Sequence, residues 1–236
     1  SGPRGKNHKA QGGKMKPPYY SDEFVTLYHG DAKDILPQVS QVDLLLTDPP
    51  YGINADKGAQ SRGGTITGDG NRRVMRVQYP KTNWDNEKIG DKLLTEVIDK
   101  AKEQIIFGGN YYNLPPTSCW LVWDKKNGTT NFADCELAWT NLPSAVRLKR
   151  YLWNGMLREH PEKREHPTQK PLAVMEWAIL KASNPQTILD PFAGSGTTLR
   201  AAKNLERQAI GIEREEQYCE IAAKRMGQEV LALGIE

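Results

Sequence analysis

The chain has 236 residues, a net charge of +3, 38% hydrophobic and 26% charged residues, and a mean hydropathy of −0.66. This length suits one domain with a small insertion, and the apolar runs fall far short of the roughly 20 residues that a bilayer-spanning helix needs. Three cysteines, Cys119, Cys135 and Cys219, and no C-x-x-C spacing exclude a disulfide scaffold or structural zinc site and suit a reduced compartment.

Residues 1–16 carry Arg4, Lys6, Lys9, Lys14 and Lys16 against no acid. They lack the apolar core of a cleavable signal and are expected to be a flexible basic arm or a cloning remnant, with Met15 as the native start. One domain is expected over 17–236. Its strands are predicted at 24–28 and 42–47, followed at 53–83 by a polar, Gly-rich stretch that is long for a loop. Within it, residues 57–81 are locally +5, through Lys57, Arg62, Arg72, Arg73, Arg76 and Lys81 against Asp69. A helix follows on the stripe Leu94, Val97, Ile98 and Ala101, then strands at 104–107, 119–123, 136–140 and 145–150. Residues 141–170 are locally +4. Two basic stretches on a chain acidic elsewhere suggest a surface for a polyanion, although ordinary solvated loops fit the charge alone. The stripe Leu172, Met175, Ile179 and Ala182 predicts a helix with Pro171 in its first turn. A strand at 187–189, a helix at 197–204, a strand at 208–212 and a helix at 215–227 complete an α/β alternation. The runs VDLLL and QAIGI lack clean alternation, as in strands covered on both faces.

Two segments carry chemistry. In T187-I-L-D-P-F-A-G-S-G-T-T a short strand delivers Asp190 to a Gly-rich turn that opens a helix. Glu213, 19 residues beyond Gly194, ends the next strand, where an acid can bond ribose hydroxyls. Leu199 replaces the third glycine of a dinucleotide fingerprint, and no Lys precedes Thr197 as in a phosphate-binding loop. An adenosine ligand without a pyrophosphate, such as S-adenosylmethionine, fits better. In the second segment an apolar strand delivers Asp48-Pro49-Pro50-Tyr51 at its carboxyl end. Two prolines stiffen this turn, which offers a carboxylate, a carbonyl and an aromatic face, none of them satisfied within the turn. Such a set suits a planar base with an exocyclic amino group, whose two N–H donors need two acceptors.

Together and in this order, Asp48-Pro49-Pro50-Tyr51 and Asp190-Pro191-Phe192-Ala193-Gly194-Ser195-Gly196 resemble the β class of DNA amino-methyltransferases, which methylate adenine N6 or cytosine N4. The segments His29-Gly30-Asp31-Ala32, Phe107-Gly108-Gly109-Asn110, Trp123-Asp124-Lys125-Lys126-Asn127, Glu136 with Trp139, and His166-Pro167-Thr168-Gln169-Lys170-Pro171 agree with it. The resemblance implies a Rossmann-like fold with a mostly parallel sheet of seven or eight strands, helices on both faces and an antiparallel hairpin edge. It implies S-adenosylmethionine held by Asp190, Phe192, Ala193, Gly194, Ser195, Gly196, Thr197 and Thr198, with Glu213 on the ribose, Asp31 by the adenine amino group, and Thr168 and Lys170 near the methionine carboxylate. Asp48, Pro49, Pro50 and Tyr51 become the catalytic residues; double-stranded DNA is the partner and the target base is flipped. Asp48 rather than Ser at the first motif position leans toward adenine, with cytosine N4, an RNA adenine or a non-catalytic S-adenosylmethionine-binding module as alternatives.

The segment usually reserved for target recognition is short here, residues 140–165. Arg72, Arg73, Arg76, Lys81, Lys126 and Arg150 are therefore expected to contact DNA. No Pro-Cys turn supplies the nucleophile that cytosine C5 chemistry would need, and all three cysteines are expected to be buried packing thiols. The four histidines lack metal spacing, so no metal is expected. The family resemblance also suggests a homodimer, a restriction–modification setting and a cytoplasmic location in a prokaryotic cell or phage-infected host.

Overall fold

The apolar run Val42–Thr47 forms a strand at the middle of a single sheet, its Leu44, Leu45 and Leu46 all fully buried. The structure is a computed structural model that describes residues 17–52, 88–127, 133–153, 159 and 169–228. In chain order the strands are β1 (Tyr20–Ser21), β2 (Val25–His29), β3 (Val42–Thr47), β4 (Ala101–Phe107), β5 (Trp120–Asp124), β6 (Cys135–Thr140), β7 (Arg147–Arg150), β8 (Thr187–Asp190) and β9 (Gln208–Glu213). The helices are α1 (Ala32–Ile35), α2 (Asp91–Ile98), α3 (Leu172–Ile179), α4 (Thr197–Asn204) and α5 (Glu216–Met226).

The sheet order is β1-β2-β9-β8-β3-β4-β6-β5-β7. Strands β2, β9, β8, β3 and β4 run parallel, β6 and β5 form the antiparallel hairpin, and β7 lies parallel to β5 at the far edge. Period-two alternation divides the core between the two faces. Leu44 and Leu46 meet Val174, Met175, Leu199 and Ala222 of α3, α4 and α5, whereas Leu45 meets Ile35, Leu93, Leu94 and Val97 of α1 and α2. Helices thus cover both faces, and β3 and β9 are covered on both sides as expected from their runs without clean alternation.

Among the described residues nine strands are present where seven or eight are expected. The extra strand is β1, two residues long and below the reach of any periodic signal; it is held to β2 by a turn in which Asp22 accepts from the Phe24 and Val25 amides at 2.9 and 2.7 Å. The four-residue α1 is also invisible in the sequence pattern and is capped by the Asp31 carboxylate on the Lys33 amide. Ala101, placed on the helical stripe, instead opens β4, because that helix ends at Ile98. The third helix stops at Ile179, three residues before Ala182, and Pro171 is its N-cap rather than its first turn. Cys119 and Cys219 are buried as expected, but Cys135 is exposed, since it starts β6 at the open end of the hairpin.

Strands β3 and β8 are neighbours whose outgoing connections diverge: β8 leads through α4 to β9 on one side, and β3 leads toward α2 and β4 on the other. A sheet of this kind opens a crevice at the carboxyl ends of two such strands. Both sequence motifs leave the sheet there.

Candidate active site

The two motifs are physically joined. Thr47, the last residue of β3, donates from its hydroxyl to an Asp190 carboxylate oxygen at 2.8 Å, across 143 residues of chain. The other end of this link is the Gly-rich turn, in which Phe192 N donates to the same Asp190 oxygen at 3.1 Å. A cavity of about 320 Å³ opens between them, lined among others by Asp31, Asp48, Pro50, Lys170, Asp190, Phe192, Ala193, Gly194, Ser195, Thr197, Thr198 and Glu213. Twelve residues expected at the site from sequence therefore share one wall. Gly194 has φ +51°, which favours glycine, and an added Cβ there would meet nothing within 4 Å, so the turn is left open toward a ligand. Gly196 faces the other way and backs onto Ala222 of α5, where a Cβ would come within 2.8 Å of the alanine methyl. Its part is to let two helices approach.

Glu213 ends β9 and is anchored by backbone donors, Gly194 N at 2.7 Å and Glu215 N at 2.7 Å. Burial pushes its carboxyl up to about 7 despite those bonds, and burial pushes Asp190 up to about 6 despite its bonds to Thr198 and Thr47. Both acids are held in place with acceptor capacity left for hydroxyl or amino donors.

Beside the cavity, Asp48 is engaged on both oxygens. Tyr51 OH donates to Oδ1 and the buried Lys170 ammonium donates to Oδ2. The expectation of a turn with no internal partners is thus corrected: the phenol of the same turn reaches back to its carboxylate, and the Pro50 carbonyl accepts from Tyr112 OH. Burial pushes the Asp48 carboxyl up against the pull of Lys170, and it also raises the Tyr51 phenol well above its usual range. Lys170, expected beside the methionine carboxylate, has its ammonium on Asp48 and, at 3.1 Å, on Glu136 of β6. Glu136 in turn pairs with Lys125 at 2.5 Å. Burial works against the Glu136 charge, but the two lysines outweigh it and hold the carboxyl down at about 2.

The Tyr51 ring stacks on Tyr111, centroids 4.8 Å apart and planes 18° from parallel. Its edge room comes from Gly108, φ +64°, where a Cβ would sit 2.1 Å from the Tyr51 ring. Tyr111, Tyr112 and the pairing of Glu136 with Lys170 were missed by sequence reasoning. Their segments match the family motifs, but the contacts follow from the β4–β6 and β5–β6 registers, which no local pattern encodes.

The remaining expected residues fall elsewhere. Pro49 lies in the turn between Asp48 and Pro50 and is not among the cavity-lining residues. Lys126 and Arg150 are exposed beyond β5 and on β7, paired with Glu159 and Asp124 at 3.3 Å each. Thr168, Arg72, Arg73, Arg76 and Lys81 lie outside the described residues, as does the 53–83 stretch.

The chain is similar to known proteins in sequence and fold. Residues 75–224 match the N6/N4 family described as DNA methylase. The Type II methyltransferase M2.LlaDCHI of Lactococcus lactis subsp. cremoris is 30% identical over 263 positions, covering 94% of this chain and 96% of its own. The crystal structure of the M1.HpyAVI–SAM complex superposes with a TM-score of 0.54 at 26% identity, over 86% of this chain and 100% of that one. PvuII DNA methyltransferase, described as cytosine-N4-specific, has a TM-score of 0.54 over 92% of this chain and 91% of its own; at 15% identity it speaks to the fold alone.

Proposed function

This chain belongs to the N6/N4 family of DNA methylases, and from that premise we propose that it moves a methyl group from S-adenosylmethionine to adenine N6 in DNA. Methyl transfer to a DNA amino group follows from the membership; the choice of adenine rests on Asp48 as first residue of the catalytic turn. The observation that carries the site is the Thr47–Asp190 hydrogen bond, which sets Asp48 and the Gly194–Glu213 cradle around one cavity.

The cavity suits the cofactor. Asp31, Asp190 and Glu213 give acceptors for its amino group and hydroxyls, the turn at Gly194 stands open, and the acids of the wall complement a sulfonium charge. When bound, S-adenosylmethionine supplies an electrophilic methyl carbon on that sulfonium. The adenine amino group is a weak nucleophile because its lone pair is delocalised into the ring. Asp48 and the Pro49 carbonyl accept its two hydrogens, which draws the lone pair out of the ring plane and toward the cavity. With S-adenosylmethionine bound, the N–C bond would form as the S–C bond broke with its electron pair left on sulfur, and Asp48 would take up the departing amino proton. Positioning and electrostatics supply the acceleration. The duplex buries the amino group, so the base is flipped and stacks at Tyr51, displacing Tyr111 from that ring or sharing it. A cytoplasmic setting and a homodimer complete the proposal; no helix among the described residues is long and apolar enough to cross a membrane.

The test is incubation with unmethylated genomic DNA and methyl-labelled cofactor, followed by nucleoside analysis. Label in N6-methyladenine is expected, and label in N4-methylcytosine would reassign the acceptor. Asp48→Ala is expected to lower the single-turnover rate at least ~100-fold, the scale for losing a group that acts on charge in the transition state. Full activity in that variant would remove Asp48 from the mechanism.

A further inference from the structure

Four charges form an unbroken line into the site: Lys125 on Glu136 at 2.5 Å, Glu136 on Lys170 at 3.1 Å, and Lys170 on Asp48. Lys170 is 6% exposed, and a buried ammonium needs counter-charge. With Asp48 as its one partner, it would hold that carboxylate in a tight neutral pair. Neutralised in this way, the carboxylate is a weak acceptor for anything else. Glu136 places a second carboxylate on the opposite side of the ammonium, and Lys125 keeps the group of four neutral overall. Among the described residues the two ammonium groups are the ion-pair partners of the Glu136 carboxylate, and the oxygen that faces Lys170 makes no hydrogen bond of its own. For a half-buried carboxylate on a strand, that is a strong constraint on where Lys170 sits.

We propose that Glu136 is a positioning residue for the methyl transfer: backed by Lys125, it shares the Lys170 ammonium with Asp48, so that an incoming amino group can replace Lys170 on the Asp48 carboxylate. The inference rests on the functional reading above. It differs from a plain structural role because it ties the sign of a remote charge to the behaviour of Asp48. Among the described residues, the charged and titratable groups around Asp48 are Lys170, which precedes α3, Glu136 on β6, Tyr51 in its own turn and Asp190 at the end of β8.

Glu136→Gln removes a negative neighbour, so Asp48 ionises more readily and the acid limb of the single-turnover rate moves to lower pH. At the same time Lys170 turns wholly to Asp48, and the rate on the alkaline plateau falls about tenfold. Lys125→Met leaves Glu136 uncompensated and moves the acid limb to higher pH. Glu136→Asp keeps the charge and restores most of the plateau rate. S-adenosylmethionine affinity by calorimetry and the unfolding temperature serve as readouts of an intact fold in every variant. If Glu136→Gln does not fold, the Lys125→Met and Glu136→Asp profiles decide. Acid limbs that stay in place, or that move in the same direction in Glu136→Gln and Lys125→Met, overturn the proposal. If Asp48→Ala is inactive and Glu136→Gln keeps the wild-type plateau and limb, the positioning role alone fails. If the wild-type chain methylates no DNA, the functional reading fails instead.

Discussion

Glu213 shows how one side chain couples the cofactor site to pH. Its carboxyl is pushed up to about 7 by burial, while the Gly194 and Glu215 amides hold it in place. In the folded chain, Glu213 and Asp190 keep protons that the unfolded chain has already lost. The stability they contribute is therefore full below their ordinary range near 4 and is lost as pH rises through about 6 and 7. If Glu213 takes the ribose as proposed, its ionised form accepts from the hydroxyls and binding below neutrality releases a proton. S-adenosylmethionine affinity is expected to fall about fivefold as pH drops from 7 to 6 and to approach tenfold per unit below that, the limiting slope of one released proton. Glu213→Gln should bind more weakly at pH 8 and lose most of this slope. Calorimetry in two buffers of different ionisation enthalpy measures the proton directly, and binding without proton release at pH 6.5 would remove Glu213 from the ribose.

The helix α4 gives the same cofactor loop its footing, by a route that differs from the dinucleotide fingerprint. There a third glycine on the helix allows close approach to the sheet. Here that position is Leu199, fully buried, and the room is made on the strand instead: a Cβ at Gly211 of β9 would sit 2.6 and 3.0 Å from the two Leu199 methyl carbons and 3.2 Å from Leu27. Gly211→Ala should cost about 1–3 kcal/mol by overpacking. Adding Leu199→Ala should recover part of that loss, so that the pair is non-additive in denaturant unfolding; strict additivity would show that the two do not touch. Elements of this kind were largely legible beforehand. The apolar runs of β3 and β9, the stripes of α2 and α3 and the Asp48 and Asp190 turns all announce themselves through period and turn chemistry. What stayed hidden was non-local. The β1 strand is too short to have a period, and the Ala101 boundary continues the α2 stripe by coincidence. The partnership of Glu136 with Lys170 spans β6 and the approach to α3, where only the folded register brings them together.

For the whole molecule, the difficulty is that the site is acidic and its substrate is a polyanion. Asp31, Asp48, Asp190, Glu213 and Glu215 share one cavity with Lys33, Lys88, Lys170 and Arg214, so its acids outnumber its cations only slightly and further cations around its mouth favour the approach of DNA. Among the described residues expected to touch DNA, Lys126 and Arg150 lie close in the fold to the line that runs from Lys125 to Asp48. Lys126 follows Lys125, and Arg150 pairs with Asp124 just before it. Each sits in an exposed ion pair at 3.3 Å, with Lys126 on Glu159. Exposed pairs of this type contribute about 0–1 kcal/mol, so exchanging the acid for a phosphate costs little. Each phosphate contact contributes about 0.9 to the slope of log affinity against log salt. The double change Lys126→Ala, Arg150→Ala should therefore lower that slope by up to about 2 and weaken binding alike on specific and unrelated duplexes, as read by fluorescence anisotropy between about 50 and 200 mM salt. Arg72, Arg73 and Arg76, reversed to Glu, form the comparison. If the slope falls only in that triple variant, the β5–β7 edge is not part of the DNA surface, and the cations that offset the acidic site belong to the segment between β3 and α2.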